Sequence, residues 1–144
     1  MNVESIMTHR VVTVELDDSL STIREIFDNV KFHHLLVVGN QGLLGIISDR
    51  DLLKALSPFL GMLDEHRRDL AVLNKKAHQI MSREPVVVDK ETSIEAAANL
   101  LLSENVSCLP ITSSDGKIEG IVTWKDIFKA YLHGSDDQRR KNKA

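Results

Sequence analysis

Short runs of β-branched residues alternate with stretches of helical periodicity along the chain. Residues 11–14 and 86–88 are such runs, and their polar flanks predict a strand at each. Each run is followed by apolar residues at the three- and four-residue spacing of an amphipathic helix. These helical positions are Leu20, Ile23, Ile26, Phe27 and Val30 in the first stretch, and Ile94, Ala97, Leu100 and Leu101 in the second. Thr92 and Glu95 have the spacing of a capping box, which predicts that the second of these helices begins there.

A hairpin and a further helix complete each pattern. The paired apolar runs are residues 35–38 and 44–47 in the first half, and residues 109–112 and 118–122 in the second. Between them lie residues 39–42 and 113–116, where glycine supplies the positive φ that tight turns require. Helices are predicted from Ser48 and from Thr123. The chain therefore contains two copies of a β-α-β-β-α unit.

The two copies correspond residue by residue. Met7 matches Met81, 74 residues later, and Asp51 matches Asp126, 75 residues later, because the second hairpin is one residue longer. A duplicated unit predicts pseudo-twofold symmetry with two equivalent crevices. One copy of about 50 residues is too small to bury its own helices, so we expect the repeats to pack through their sheets and helices.

The repeat also sets the expected domain boundaries. They are residues 1–56 for the first repeat, 57–79 for a helical linker, 80–133 for the second repeat and 134–144 for a flexible basic tail. Apolar spacing predicts that the linker forms a helix from about Asp64 onward, which we interpret as a spanning element or a contact between subunits. The apolar positions of this helix are Leu63, Leu70, Leu73 and Ala77.

Composition argues against several classes of function. The formal charge of the 144 residues is -3, whereas general nucleic-acid binders are basic, so nucleic acid is not an expected partner. No apolar run approaches the length of a membrane span, and the opening MNVESIM lacks the basic and apolar character of a signal peptide. The lone cysteine, Cys108, excludes an internal disulfide and suits a reducing compartment. We therefore expect a cytoplasmic protein without membrane contact.

The strongest local motif lies where the last strand of each copy meets its second helix. It reads GIISDRD from Gly45 to Asp51 and GIVTWKD from Gly120 to Asp126. The hydroxyl residue and the aspartate have capping-box spacing, so one interpretation is purely structural. The other is a nucleotide site, because a helix N-terminus attracts phosphate and a carboxylate accepts hydrogen bonds from a ribose diol. The motif alone leaves both interpretations open.

With this motif present twice, the chain resembles a tandem pair of CBS domains, the family named after cystathionine β-synthase. The resemblance covers residues 3–132 and also rests on the order of elements and on the openings Ile-Met-Thr at residues 6–8 and Ile-Met-Ser at residues 80–82. It implies an α+β fold in which two clefts between the repeats bind AMP, ADP, ATP or S-adenosylmethionine. It also implies a homodimer and a regulatory role such as energy sensing. Because little of the sequence lies outside the pair, we expect a stand-alone pair that acts on a separate effector protein and requires no cofactor.

The resemblance assigns nucleotide-binding roles residue by residue. In the first cleft they fall on Ser48 and Asp51 for phosphate and ribose, Arg50 for phosphate, Thr8, Val11 and Val12 beside the base, and Phe32 and His33 on the opposite wall. In the second cleft they fall on Thr123, Asp126, Lys125, Ser82, Val86, Val87, Val106 and Ser107. Two departures from the family pattern stand out. Leu36 replaces a proline that Pro110 retains, and Asp49 adds a negative charge that favours a monophosphate over a triphosphate in the first cleft.

Other functions have weaker support in the sequence. His33 and His34 are adjacent on a predicted strand and point to opposite faces, so they cannot easily share a metal ion. The chain lacks the spacing of a catalytic triad, a nucleophile elbow, a phosphate-binding loop or a zinc site, so we expect neither catalysis nor metal binding. The main alternative is an interaction scaffold without a small ligand, in which the Ser/Thr-x-x-Asp residues only cap helices.

Overall fold

The structure, a computed structural model, describes residues 1–56 and 71–142, with side-chain surroundings given up to residue 133. The fold divides into two compact units. We call Val12–Pro85 the central unit, and Met1–Val11 together with Val86–Ala144 the split unit. These units differ from the repeats read along the sequence, because the first residues of each repeat belong to the unit that holds the rest of the other repeat.

A four-stranded sheet forms the frame of the central unit. Its strands, in spatial order, are β1 (Thr13–Glu15), β2 (His34–Gly39), β3 (Gly42–Ser48) and β4 (Ser82–Arg83). Strand β1 is parallel to β2, and the other neighbours are antiparallel. The helices of the unit are α1 (Leu20–Asn29), α2 (Asp49–Leu56) and α3 (Ala77–Ile80). Leu20 and Ile23, predicted to face the core, are fully buried with Leu35, Val37 and Ile47.

The split unit repeats this arrangement with fewer regular strands. Its elements are a 3-10 helix (Val3–Ser5), α4 (Ile94–Ser103), the antiparallel pair β5 (Cys108–Thr112) and β6 (Ile118–Thr123), and α5 (Trp124–Asn142). Ala97 and Leu101 of α4 pack with Leu109, Ile111 and Val122 in an aliphatic core. Helix α5 continues to Asn142, into the segment that the sequence predicted to be a flexible tail.

The opening segments of the two repeats are exchanged. Val3 is buried in the core of the split unit, and its repeat equivalent Ala77 is buried in the core of the central unit. The backbone pairings obey the same symmetry: Asn2 pairs with Ser93 as Lys76 pairs with Ser19, and Thr8 pairs with Ile121 as Ser82 pairs with Ile46. The duplication therefore extends to the way each opening segment is held.

Two predicted strands are shorter in the structure than in the sequence pattern. Strand β1 begins at Thr13 rather than at residue 11, because the chain passes from the split unit to the central unit after Val11. Residues 86–88 form no regular strand; Val88 alone makes a parallel bridge with Ile111. Strand β4 was not predicted, since two exposed polar residues that pair only through their backbone carry no apolar alternation.

The predicted cap of α4 is wrong by one residue, whereas both predicted hairpin turns are confirmed. The cap of α4 is Ser93 rather than Thr92, since the Ser93 hydroxyl accepts a hydrogen bond from the Ala96 N–H at 3.0 Å. The hairpin turns are confirmed, with φ of 113° at Gly42 and 81° at Gly116, a region that favours glycine.

The linker prediction falls mainly on residues 57–70, including Leu63, Asp64 and Leu70, which lie outside the described residues. Downstream, the backbone of Lys76 is extended (φ -103°, ψ 157°), so Ala77 starts the separate helix α3 instead of continuing the predicted linker helix. Within residues 1–56 and 71–142, no helix combines the length and the apolar character needed to cross a bilayer.

Candidate functional site

The central unit places its motif where β3 runs into α2. The Ser48 N–H donates to Oδ2 of Asp51 at 2.8 Å, and the Asp51 N–H donates to Oγ of Ser48 at 3.1 Å. This reciprocal pair is a capping box, which satisfies two amides that the first helical turn leaves free. The carboxylate is half-buried. The motif therefore caps α2, as the structural interpretation predicts, and the two hydrogen bonds fix the orientation of the Ser48 and Asp51 side chains.

The split unit builds the same box with two additional donors to its carboxylate. The Thr123 N–H donates to Oδ2 of Asp126 at 3.0 Å, and the Thr123 hydroxyl lies 3.2 Å from the same oxygen. The hydroxyl of Thr8 donates to the two carboxylate oxygens of Asp126 at 3.2 and 3.3 Å. The backbone of Thr8 is fixed as well, because its N–H donates to the Ile121 carbonyl at 2.8 Å. The opening segment thus delivers a hydroxyl to the start of α5.

The glycine of each motif lets an opening segment approach the strand. A Cβ added to Gly45 would lie 2.8 Å from the Ser82 carbonyl oxygen, and one added to Gly120 would lie 2.7 Å from the Thr8 carbonyl oxygen. Real Cβ atoms essentially never come this close. Each motif glycine therefore contacts an opening segment: Gly45 the Ile-Met-Ser segment and Gly120 the Ile-Met-Thr segment. In the sequence these glycines and openings are separate motifs.

This contact corrects the grouping of the predicted site residues. Thr8 was assigned to the cleft of Ser48 and Asp51, but it hydrogen-bonds Asp126 in the split unit. Ser82 was assigned with Thr123 and Asp126, but it pairs with Ile46 in the central unit. The physical reason is the exchange of opening segments, which sequence order hides.

The other predicted site residues are divided between the two units. Val12, Phe32, His33, Arg50 and Ser48 share the central unit, whereas Val11, Val86, Val87, Val106, Ser107 and Lys125 share the split unit. Val11 and Val12, predicted to act together, are therefore divided between the two units. Arg50 and Lys125 are exposed one residue before their aspartates, as phosphate contacts require. Val86 and Val106 pack against the split-unit core, so their side chains also have a structural role.

His33 lies beside an acid of the motif. Its Nδ1 lies 2.8 Å from Oδ2 of Asp49, the acid expected to repel a phosphate; the His33 side chain is largely exposed and the Asp49 side chain is partly exposed. The repeat equivalent of Asp49 is Trp124, whose ring lies 6.1 Å from that of Phe128 at an angle of 37°. The two helix starts thus have different flanks, an acid partnered by histidine in one and an indole in the other.

One further position in each unit lies directly across the hairpin from the motif hydroxyl. His34 pairs with Ser48 across β2 and β3, and its repeat equivalent Cys108 pairs with Thr123 across β5 and β6. Burial lowers the pKa of His34 from its ordinary 6.5, although the nearby charges of Asp49 and Asp51 raise it.

Burial, followed by the charge of Asp126, raises the pKa of the Cys108 thiol to about 12. His34 and Cys108 are recognised by their place in the hairpin, where each lies directly opposite the hydroxyl residue of its motif. Among the described residues, no three His, Cys, Asp or Glu side chains are arranged to hold a metal ion.

Comparisons with known proteins identify the family and support the fold. The pattern of the CBS domain matches residues 3–58 and 77–133. A CBS domain-containing protein of Dictyostelium discoideum is 35% identical over 128 residues, which cover 88% of this chain and 88% of that protein.

Two solved structures are also similar. CBSX2 in complex with AMP is 31% identical with a TM-score of 0.75, and the match covers 93% of this chain and 98% of that one. The CBS domain pair of protein MJ0100, in complex with 5'-methylthioadenosine and S-adenosyl-L-methionine, is 25% identical with a TM-score of 0.74. That match covers 91% of this chain and 99% of the other. On the strength of the duplicated motif, the shared fold and these matches, the chain belongs to the CBS domain family and carries two CBS domains in tandem.

Proposed function

We propose that the chain is a regulatory module that binds an adenosine-containing ligand at the strand-to-helix site of each unit. The ligand is AMP, ADP, ATP or S-adenosylmethionine, and binding is signalled to a separate effector protein by a cytoplasmic homodimer. One observation carries the proposal: each unit places a hydroxyl, an exposed cation and a half-buried carboxylate together at the start of a helix. The similarity to CBSX2, solved in complex with AMP, supports the choice of ligand.

Each group in this set has a chemical counterpart in a nucleotide. The helix start offers a positive dipole end to phosphate, and Arg50 or Lys125 adds a full charge beside it. A carboxylate has about four lone-pair sites, and the backbone amide of Ser48 uses one of them at Asp51. No other donor to this carboxylate comes from residues 1–56 or 71–133, so sites remain for the two hydroxyls of a ribose. The capping box and a ligand site are therefore compatible uses of the same residues.

Calorimetry on ligand-free, folded protein tests this proposal. AMP, ATP and S-adenosylmethionine are titrated into the wild-type chain and into the variants Asp51→Ala and Asp126→Ala. Hydrogen bonds to a charged acceptor contribute roughly 1.5–3 kcal/mol, so each variant should bind about ten- to a hundredfold more weakly at its own site. Asp51→Asn is the matched control for the cap, because its amide oxygen still accepts the Ser48 N–H while the charge is lost. No heat with any ligand would contradict the proposal.

A ligand-independent scaffold is the second candidate, and a specific observation favours it. Helix α5 exposes Phe128, Tyr131 and Leu132, which are 63%, 56% and 67% accessible at helical spacing. Exposed apolar side chains in such a stripe are typical of a contact surface. If this candidate is correct, Phe128→Glu with Leu132→Glu reduces the mass measured by sedimentation, while Asp51→Ala costs about 1 kcal/mol of stability and changes no binding.

A further inference from the structure

Besides the exchange of Asp49 for Trp124 within the motif, the two sites differ at the position directly across the hairpin from the motif hydroxyl. His34 lies opposite Ser48 in the central unit, and Cys108 lies opposite Thr123 in the split unit. Every other core component of the box is chemically repeated: glycine, hydroxyl, cation and aspartate. The difference places an ionisable imidazole at one site and a buried thiol at the other.

His34 is surrounded by groups that set its charge. Among the described residues, the charged or titratable groups that act on it include Asp49 and Asp51 of α2 and His33, which precedes β2, while β3 contributes Ser48. Burial is the largest influence and favours the neutral ring, so His34 is mainly neutral at pH 7. The two carboxylates work in the opposite direction. An anion at the start of α2 adds to their effect and favours the charged imidazolium.

Cys108 cannot respond in this way. It is 4% accessible, and burial holds its thiol in the neutral form well above physiological pH. The split unit compensates differently, since its carboxylate accepts from Thr8 and from both the amide and the hydroxyl of Thr123. Within the described residues, Asp51 accepts only from the Ser48 amide, so it retains more capacity for ligand hydroxyls.

Building on the proposed function, we propose that His34 makes the central unit the acid-sensitive site of the pair. When a phosphate-bearing adenosine ligand binds there, the imidazole takes up one proton from solution and becomes the charge partner of the phosphate. Affinity at the central unit therefore rises as the pH falls from 8 to 6.5. Affinity at the split unit does not change in this range, because burial keeps the Cys108 thiol neutral throughout it.

The test is calorimetry of the full chain in an Asp126→Ala background, so that the central site dominates. AMP is titrated at pH 6.5, 7.0, 7.5 and 8.0 in two buffers of different ionisation enthalpy, which gives the number of protons taken up. The second pKa of the phosphate is about 6, so roughly a quarter of free AMP has lost one negative charge at pH 6.5, a change that opposes the expected rise in affinity and cannot produce it. Adenosine is the phosphate-free control.

The variants His34→Gln and His34→Cys remove the ionisable ring, and the second of them copies the residue of the other repeat. We expect AMP to bind roughly 3–10-fold more tightly at pH 6.5 than at pH 8.0, with net proton uptake, and both variants to lose this dependence. Adenosine should bind equally at all four values. The number of protons taken up on AMP binding is measured on protein that retains His34. This measurement remains informative if one of the His34 variants fails to fold.

Binding of AMP with the same affinity at every pH, or an unchanged pH dependence in His34→Gln, overturns the role of His34 and leaves the proposed function standing. Absence of AMP binding at every pH, in this background and in the wild-type chain, overturns both.

Discussion

The close approach of the opening segments to the motif glycines predicts the sign of a stability change. In Gly45→Ala the new Cβ would lie 2.7 Å from Sδ of Met81 and 2.8 Å from the backbone oxygen of Ser82. The second distance is roughly 0.6 Å shorter than the 3.4 Å at which ordinary contact begins. The Met81 side chain can move, but the Ser82 carbonyl belongs to β4, which pairs with β3 at this point.

Two effects oppose each other in this variant. Replacing glycine by alanine where the backbone accepts it stabilises a protein by about 0.4–1 kcal/mol, because the unfolded chain loses freedom. The backbone at Gly45 is outside the positive-φ region, so this gain is available. Overpacking against fixed atoms costs typically 1–3 kcal/mol. The net expectation is a loss of about 1–2 kcal/mol in the free energy of unfolding.

Urea unfolding of wild type and variant measures the change. Gly39→Ala is the matched control in the same hairpin, since its Cβ meets only the flexible end of Leu44, at 2.6 Å, and should cost less than about 0.5 kcal/mol. Gly120→Ala should behave like Gly45→Ala, because its Cβ meets the Thr8 carbonyl oxygen. A Gly45→Ala protein as stable as wild type, or more stable, would refute the argument that the glycine exists for this contact.

Three further predictions follow from single residues. Ser93→Ala should cost about 1 kcal/mol in urea unfolding, the usual effect of losing a helix cap, whereas Thr92→Ala should cost clearly less; equal losses would contradict the assignment of the cap. Cys108 should be almost unreactive toward a thiol reagent at pH 8 and react fully in guanidinium. The stability that depends on its neutral thiol should be complete below pH 9 and lost as the pH rises toward about 12. The pKa of His34 in the folded protein lies below its unfolded value of 6.5, so its contribution to stability is complete above pH 6.5 and is lost as the pH falls through the lowered value. His34→Gln should therefore flatten the dependence of the urea midpoint on pH in that window. An unchanged dependence would exclude the effect.

Local features of the fold could be predicted from the sequence because their signals are local. The helical spacing of Leu20 and Ile23 and the glycines at 42 and 116 reflect forces that act within a few residues. The prediction of a CBS pair is confirmed for the same reason, since the duplicated motif is a local signal repeated in order. The cap at Ser93 was missed by one position because Thr92 and Ser93 both have a suitable hydroxyl.

The exchange of opening segments could not be predicted, and this changes the site. Thr8 and Ser82 head nearly identical segments, and each can pair with either strand by the same backbone hydrogen bonds. The pattern of side chains is satisfied equally by both assignments, so only the three-dimensional structure distinguishes them. The position of His34 and Cys108 opposite the motif hydroxyls was hidden for a related reason, since it depends on register across a hairpin rather than on the motif itself.

A titration of isotope-labelled protein with AMP, followed by amide chemical shifts, locates the ligand site residue by residue. If the start of each second helix is a ligand site, the amide signals of Ser48, Asp51, Thr123 and Asp126 move in a saturable way, and those of the exposed α5 residues Phe128 and Leu132 do not. Saturable shifts confined to other parts of the chain, with these four amides unchanged, would show that the ligand binds elsewhere.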